Sequence, residues 1–225
     1  MQISERVKNA IDICTSNRED TERLVEIPFL FDSLPEPSIN IRTLDIGCCE
    51  SPIVTELDKL GFNSWGIDLR DYIEGYPKFI KCDARNLKMI PDNSFDVAIA
   101  ISTVEHIGLI DTPYHTDINL DDNGDKKSIS EMVRAIKPGG IIILTIPYGK
   151  GDNTLTSWIR FYNKERVNNI IPTNIIIDKK IYRQRTIDND IIKWIDVSED
   201  IASQGYSYAP AIANVLCISG HKCNV

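Results

Sequence analysis

The 225-residue sequence has no apolar run approaching the ~20 residues that a bilayer-crossing helix requires. It also has no C-x-x-C spacing and no stripe of lysine or arginine. The first absence leaves no membrane span. The second removes the usual zinc ribbons, and the adjacent pair Cys48–Cys49 does not suit a disulfide framework. Of the other cysteines, Cys82 and Cys217 lie in apolar strand-like runs and read as buried small hydrophobes, while Cys14 sits at helical spacing and Cys223 near the end. Reduced thiols in a cytoplasmic compartment are the expectation. The formal net charge is −8, and the pairs Lys126–Lys127 and Lys179–Lys180 stand isolated. Nucleic-acid backbones are bound by clustered cations that release counterions, so a nucleic-acid partner is not expected. The segment MQISERVKNAIDI is charged and lacks a signal-peptide core. The acids Asp117, Asp121, Asp122 and Asp125 lack the calcium-loop pattern with its terminal glutamate, so no metal site is expected.

About two-fifths of the chain is apolar, enough for one sizeable core. Val7, Ile11 and Cys14 fall at helical spacing, and Leu24, Ile27 and Leu30 continue as a second short helix. The prolines of DSLPEPSIN then interrupt regularity. From Ile41 short apolar strands alternate with amphipathic helices, a pattern that predicts a mostly parallel sheet flanked by helices. Strands are expected near residues 42–46, 64–67, 78–82, 95–101 and 140–146. Helices are expected near 53–60, 84–87, 104–110 and 127–136. Residues 174–181 and 213–219 read as a final antiparallel pair at one edge of about seven strands. A single domain is expected, with a helical extension over 1–40, a ligand-binding core over 41–147, and an acceptor-side segment with the final strands over 148–225.

Three short motifs carry the chemistry. In LDIGCCES (Leu44–Ser51) a strand ends in an acid and turns at a glycine into a helix, the place where α/β sheets bind ligands. Gly47 permits close backbone approach, and Asp45 can meet a cationic amino group or order the turn. In WGIDLR, Asp68 ends the next strand a little over 20 residues later, where an acid can accept both hydroxyls of a ribose or stand solvated in a loop. In KCDARNL, Asp83 can accept from an adenine amino group while the Ala84 amide donates to the ring; a helix N-cap is the other reading.

DIG, GIDL, CDARNL, DNSFDV and the KPGG turn before a strand follow one another over about a hundred residues. In that order and spacing the chain resembles the class I S-adenosylmethionine (SAM)-dependent methyltransferases, which implies a Rossmann-like α/β fold and SAM as cofactor. The resemblance covers about residues 41–147. It implies that Asp45, Gly47, Asp68, Asp83 and Ala84 line the cofactor site with Cys48 in the same turn, that Leu69 packs on the adenine, and that Ser102 lies beside the cofactor. Cys49 and Ser51 stand where the family commonly has further glycines, which bears on cofactor affinity. The stretch GDKKSISEMVRAIKPGGIIILTIPYG is also similar to little-characterised methyltransferases of glycan and polysaccharide biosynthesis.

Methyl transfer to oxygen calls for a base, and the chain has three histidines. His106 follows the fourth strand and faces the cleft; His115 lies in the loop PYHTDINLDDNGD; His221 reads as exposed. Glu105 can hold the histidine, contact substrate, or favour a helix start. Trp158, Arg160, Phe161 and Tyr162 form an aromatic–basic cluster that can line an acceptor pocket, with Tyr206 and Tyr208 joining it, or can be core. The reading is methyl transfer to a small-molecule acceptor, a sugar or glycan-precursor hydroxyl. N-methylation of a small amine and a non-catalytic methyltransferase-like binder are the alternatives. A nicotinamide dehydrogenase is the least favoured reading, because the residues after Gly47 do not give G-x-G-x-x-G.

Overall fold

The computed structural model describes residues 4–16, 21–71, 76, 78–110, 120–151, 158–189, 191–207 and 212–224. Two helices come first, α1 (Glu5–Thr15) and α2 (Arg23–Ser33). Ser4 caps α1 by accepting the Val7 amide. β1 (Arg42–Ile46), α3 (Ile53–Leu60), β2 (Asn63–Asp68), β3 (Phe79–Lys81) and β4 (Phe95–Ile101) follow. Then come α4 (Gly124–Ala135), β5 (Ile136–Pro147), β6 (Lys150–Gly151), α5 (Lys164–Ile170), β7 (Ile175–Asp188), β8 (Ile191–Val197), α6 (Glu199–Gln204), β9 (Tyr206–Ser207) and β10 (Asn214–Lys222). Among the described residues no helix is long and apolar enough to cross a membrane.

Eight strands form the main sheet in the order β3-β2-β1-β4-β5-β10-β7-β8. β3, β2, β1, β4 and β5 pair in parallel, whereas β10 runs antiparallel to both β5 and β7, and β8 antiparallel to β7. The fold is therefore the expected Rossmann-like α/β architecture with an antiparallel end. The anticipated final pair is β7 and β10, but it is not the edge: β8 continues the sheet beyond it. Its sequence, IIKWIDV, alternates in burial along an edge strand, a weaker signal than the apolar runs of the centre. Three helix expectations change. Residues 84–87 make a turn, 104–110 shortens to a 3-10 turn at Val104–His106, and α4 begins at Gly124 rather than Lys127.

β4 shows how the layers are made. Val97, Ile99 and Ile101 point into a core shared with Ile27 and Leu30 of α2 and Ile53 and Leu57 of α3. Ala98 and Ala100 point into the other core, with Ile129 and Met132 of α4. A strand covered on both faces is a nearly continuous apolar run, here Val97–Ile101. The N-terminal helices are thus one wall of the sheet: Ile27 and Leu30 are fully buried.

Candidate functional site

The chain runs outward from β1 to β2 and β3, then crosses back to β4 on the other side of β1. That reversal splays the β1 and β4 loops apart at the carboxyl ends of the strands and opens a crevice. A pocket lies there, lined among others by Gly47, Asp68, Leu69, Asp83, Ala84, Ser102 and His106. Six of the eight residues expected at a cofactor site are brought together. The other two, Asp45 and Cys48, are buried behind the lining.

Gly47 has φ +78°, and a Cβ there would come within 2.5 Å of Thr103 Cγ2. The glycine is required twice, by its backbone and by its neighbour. Its amide donates to the Ile67 carbonyl at 2.8 Å, which ties the turn to β2. Behind it, Asp45 Oδ2 has no hydrogen-bond partner among the described residues. Burial pushes the Asp45 carboxyl up to about 8, against a downward pull from Arg23, and nearby Asp68 adds to the rise.

Asp68 accepts from the Arg70 amide (3.0 Å) and Nε (3.2 Å) on Oδ1, and from the Cys49 amide and Arg70 Nη2 (both 3.1 Å) on Oδ2. All four acceptor positions of the carboxylate are occupied. Burial would raise this carboxyl, but the Arg70 hydrogen bonds and charge bring it below its usual range. Arg70 also pairs with Glu50. The same device recurs at the next strand: Asp83 accepts from the Arg85 amide at 2.9 Å and from Arg85 Nη2 at 2.6 Å. Neither arginine was singled out in the sequence, yet both stand two residues after the acid, in Asp68-Leu69-Arg70 and Asp83-Ala84-Arg85.

On the β4 side, Ser102 adopts φ +45°, a left-handed conformation costly for a non-glycine residue. Its amide donates to Thr145 Oγ1 at 3.0 Å and its hydroxyl to Glu26 Oε1 at 2.6 Å. Glu26 belongs to α2 and is wholly buried, which drives its carboxyl upward against the pull of Arg23. Arg23, also on α2, lines the pocket and donates from Nη1 to the Ile101 carbonyl at 3.1 Å. No sequence motif marked it, because it lies outside the strand-and-turn pattern.

His106 Nδ1 lies 2.7 Å from the Trp158 carbonyl oxygen. A carbonyl only accepts, so Nδ1 carries the proton and Nε2 bears the lone pair. Burial lowers the His106 pKa to about 4, against the upward effect of that hydrogen bond. Glu105 is buried and does not line the pocket; among the described residues both its carboxylate oxygens lack hydrogen-bond partners, and Oε1 is 3.9 Å from His106 Nε2, beyond hydrogen-bond reach. Burial raises its carboxyl well above the usual range, and nearby Glu26 adds to this. His115, Tyr114, Asp117 and Tyr208 lie outside the described residues. His221 pairs with Asp178 on the antiparallel side of the sheet, away from the crevice.

The aromatic–basic cluster after β5 does not form an acceptor wall as a unit. Phe161 and Tyr162 are buried, and Tyr162 donates to Asp125 at 3.1 Å. Arg160 bonds the carbonyls of Ile107 and Asp121 and so clamps the loop after His106. Trp158 touches the pocket residue His106, and Arg160 touches the pocket residue Ile107 through its backbone carbonyl. Two acids of the acidic run are likewise internally paired: Asp121 with Lys127, and Asp125 with Arg166.

Residues 44–144 match the sequence model of the methyltransferase domain family. No curated protein matches this chain in sequence. Among solved structures the chain is similar to a 1,6-didemethyltoxoflavin N1-methyltransferase of Burkholderia thailandensis, solved with its substrate and S-adenosylhomocysteine (TM-score 0.55, 11% identity, 98% of this chain and 79% of that one). It is also similar to SAM-dependent methyltransferases from Methanosarcina mazei (TM-score 0.56, 16% identity, 87% and 97%) and Archaeoglobus fulgidus (TM-score 0.52, 18% identity, 80% and 86%). At these identities the structures establish the fold. Residues 44–144 are thus similar in sequence to methyltransferase domains, and the chain shares the fold of these SAM-dependent methyltransferases.

Proposed function

We propose that the protein transfers the methyl group of SAM to a hydroxyl of a small molecule, a sugar or glycan precursor, with His106 as the proton acceptor. The residues present fit the cofactor. Gly47 leaves a bare backbone where any Cβ would strike Thr103, and the orphaned Asp45 Oδ2 lies behind that turn. Asp68 orients the ribose, Asp83 and the Ala84 amide orient the adenine, and Leu69 packs against the ring. When bound, the cofactor supplies an electrophilic methyl carbon on a sulfonium. The chain's own task is then to hold donor and acceptor in line and to receive one proton.

The observation that carries this reading is the position and tautomer of His106. It lines the same pocket as Gly47 and Asp68, and its Nδ1 is committed to the Trp158 carbonyl. A ring held neutral by burial presents Nε2 as acceptor throughout the physiological pH range. A hydroxyl acceptor needs such a group. The sugar or glycan class rests on the sequence likeness of residues 124–149. The acidic loop that would have drawn an amine is paired internally at Asp121 and Asp125.

Calorimetric titration with SAM and with S-adenosylhomocysteine is the first test. Micromolar binding of both supports the reading and opens a screen of sugars for methylation. A folded protein that binds neither overturns it.

A further inference from the structure

The pocket lining holds two cations of fixed charge, Arg23 and Arg70. Arg70 spends its guanidinium on Asp68 and Glu50. Arg23 differs. Among the described residues only Nη1 is engaged, by the Ile101 carbonyl at 3.1 Å and by Glu26 Oε2 at 3.5 Å. Nε and Nη2 bond to nothing among the described residues, although the side chain is only 11% exposed. A guanidinium withdrawn from water with three of its five donors unsatisfied is a costly arrangement unless an anion completes it.

The sheet order says which part of a ligand lies there. Asp83 follows β3, Asp68 ends β2, Gly47 follows β1, and Ser102 follows β4, so the pocket runs across the strands in the sequence β3, β2, β1, β4. With adenosine over β3 and β2, the amino-acid end falls over β1 and β4, beside Arg23. That end carries one ammonium and one carboxylate. Three buried acids, Glu26, Asp45 and Glu105, feel the charge of Arg23. Burial raises each of these carboxyls, against the pull of Arg23.

We propose that Arg23 binds the α-carboxylate of the cofactor's methionine moiety through Nε and Nη2, so that helix α2, outside the matched domain, completes the cofactor site. This rests on the cofactor reading above. Glu26 and the Ile101 carbonyl act as positioning groups, holding Nη1 and so fixing the plane of the guanidinium. Glu26 also receives the Ser102 hydroxyl, which links α2 to the strained residue at the end of β4.

The test is titration of the wild-type chain with three ligands: S-adenosylhomocysteine, its decarboxylated analogue S-adenosyl-3-thiopropylamine, and 5′-methylthioadenosine. Charge-assisted hydrogen bonds contribute about 1.5–3 kcal/mol, or about 10–100-fold. The wild type should therefore bind the decarboxylated analogue at least about tenfold more weakly than S-adenosylhomocysteine. Arg23→Gln should lose about the same factor for S-adenosylhomocysteine and leave 5′-methylthioadenosine binding unchanged, which also shows that the pocket is intact. Arg23→Lys should fall between the two. Equal wild-type affinity for the carboxylated and decarboxylated ligands overturns the proposal without any variant. So does an Arg23→Gln variant that loses all three ligands alike, or none. A wild type that binds no adenosyl ligand sinks the cofactor reading itself and is told apart because no substitution is involved.

Discussion

The imidazole of His106 and the indole of Trp158 are stacked, their planes 4° apart and centroids 5.5 Å apart, while His106 Nδ1 bonds the Trp158 backbone carbonyl at 2.7 Å. One residue after β5 therefore fixes both the plane and the tautomer of a residue after β4. General bases contribute about 10²–10⁴-fold, so His106→Ala should lower kcat by at least about 100-fold with the true acceptor. Binding of S-adenosylhomocysteine should change little. Unchanged turnover in a folded His106→Ala variant would remove this histidine from the chemistry.

Arg70 fills three of the four acceptor positions of Asp68. A ribose that bonds this carboxylate has to displace the Arg70 side chain. Asp68→Ala should weaken S-adenosylhomocysteine binding by about tenfold or more, the loss of charge-assisted hydrogen bonds. Arg70→Ala, by contrast, should leave affinity equal or tighter. Calorimetry on the two variants separates the roles, and a loss in Arg70→Ala as large as in Asp68→Ala would make Arg70 a ligand contact instead of a competitor.

Stability should fall as pH rises from 6.5 to 8.5. Burial raises Asp45 to about 8, whereas the unfolded carboxyl titrates near its ordinary value of about 4. The folded state then holds a proton that the unfolded state has lost, and the stability it confers is full below about pH 4 and vanishes as pH passes 8. His106 acts oppositely: its folded value of about 4 lies below the ordinary 6.5, so its contribution is complete above that value and is lost towards pH 4. Urea midpoints at pH 6.5 and 8.5 measure the difference. In Asp45→Asn the decline should flatten; an equal slope would show that Asp45 is ionised throughout.

Leu30 is fully buried in the core that α2 shares with β4. Leu30→Ala should cost about 2–5 kcal/mol in urea unfolding, as other large-to-small core changes do. A change below about 1 kcal/mol would mean that the N-terminal helices are a loose addition.

Much of the site was legible because its chemistry is local. Gly47, Asp83 and Ser102 each follow a strand and Asp68 ends one, and a parallel sheet delivers all strand ends to one edge. The boundaries of β1, β4 and α3 were legible for the same reason, since residue spacing alone reports burial on one or both faces. Arg23 and Glu26 were not legible as site residues. They lie on a helix whose periodicity says only that one side is apolar, and nothing local says which strand end that side will cover.

The sequence by itself determined the parallel α/β core, the acids at the ends of β2 and β3, and a glycine at the turn after β1, because each depends on residues within one strand and its turn. Tertiary structure alone decided that α2 closes the pocket, that β8 rather than β10 or β7 is the edge, and that Trp158 pins His106. Those pairings join residues 52 or more positions apart, or depend on strand order. Long-range packing selects them from many arrangements compatible with the same local pattern.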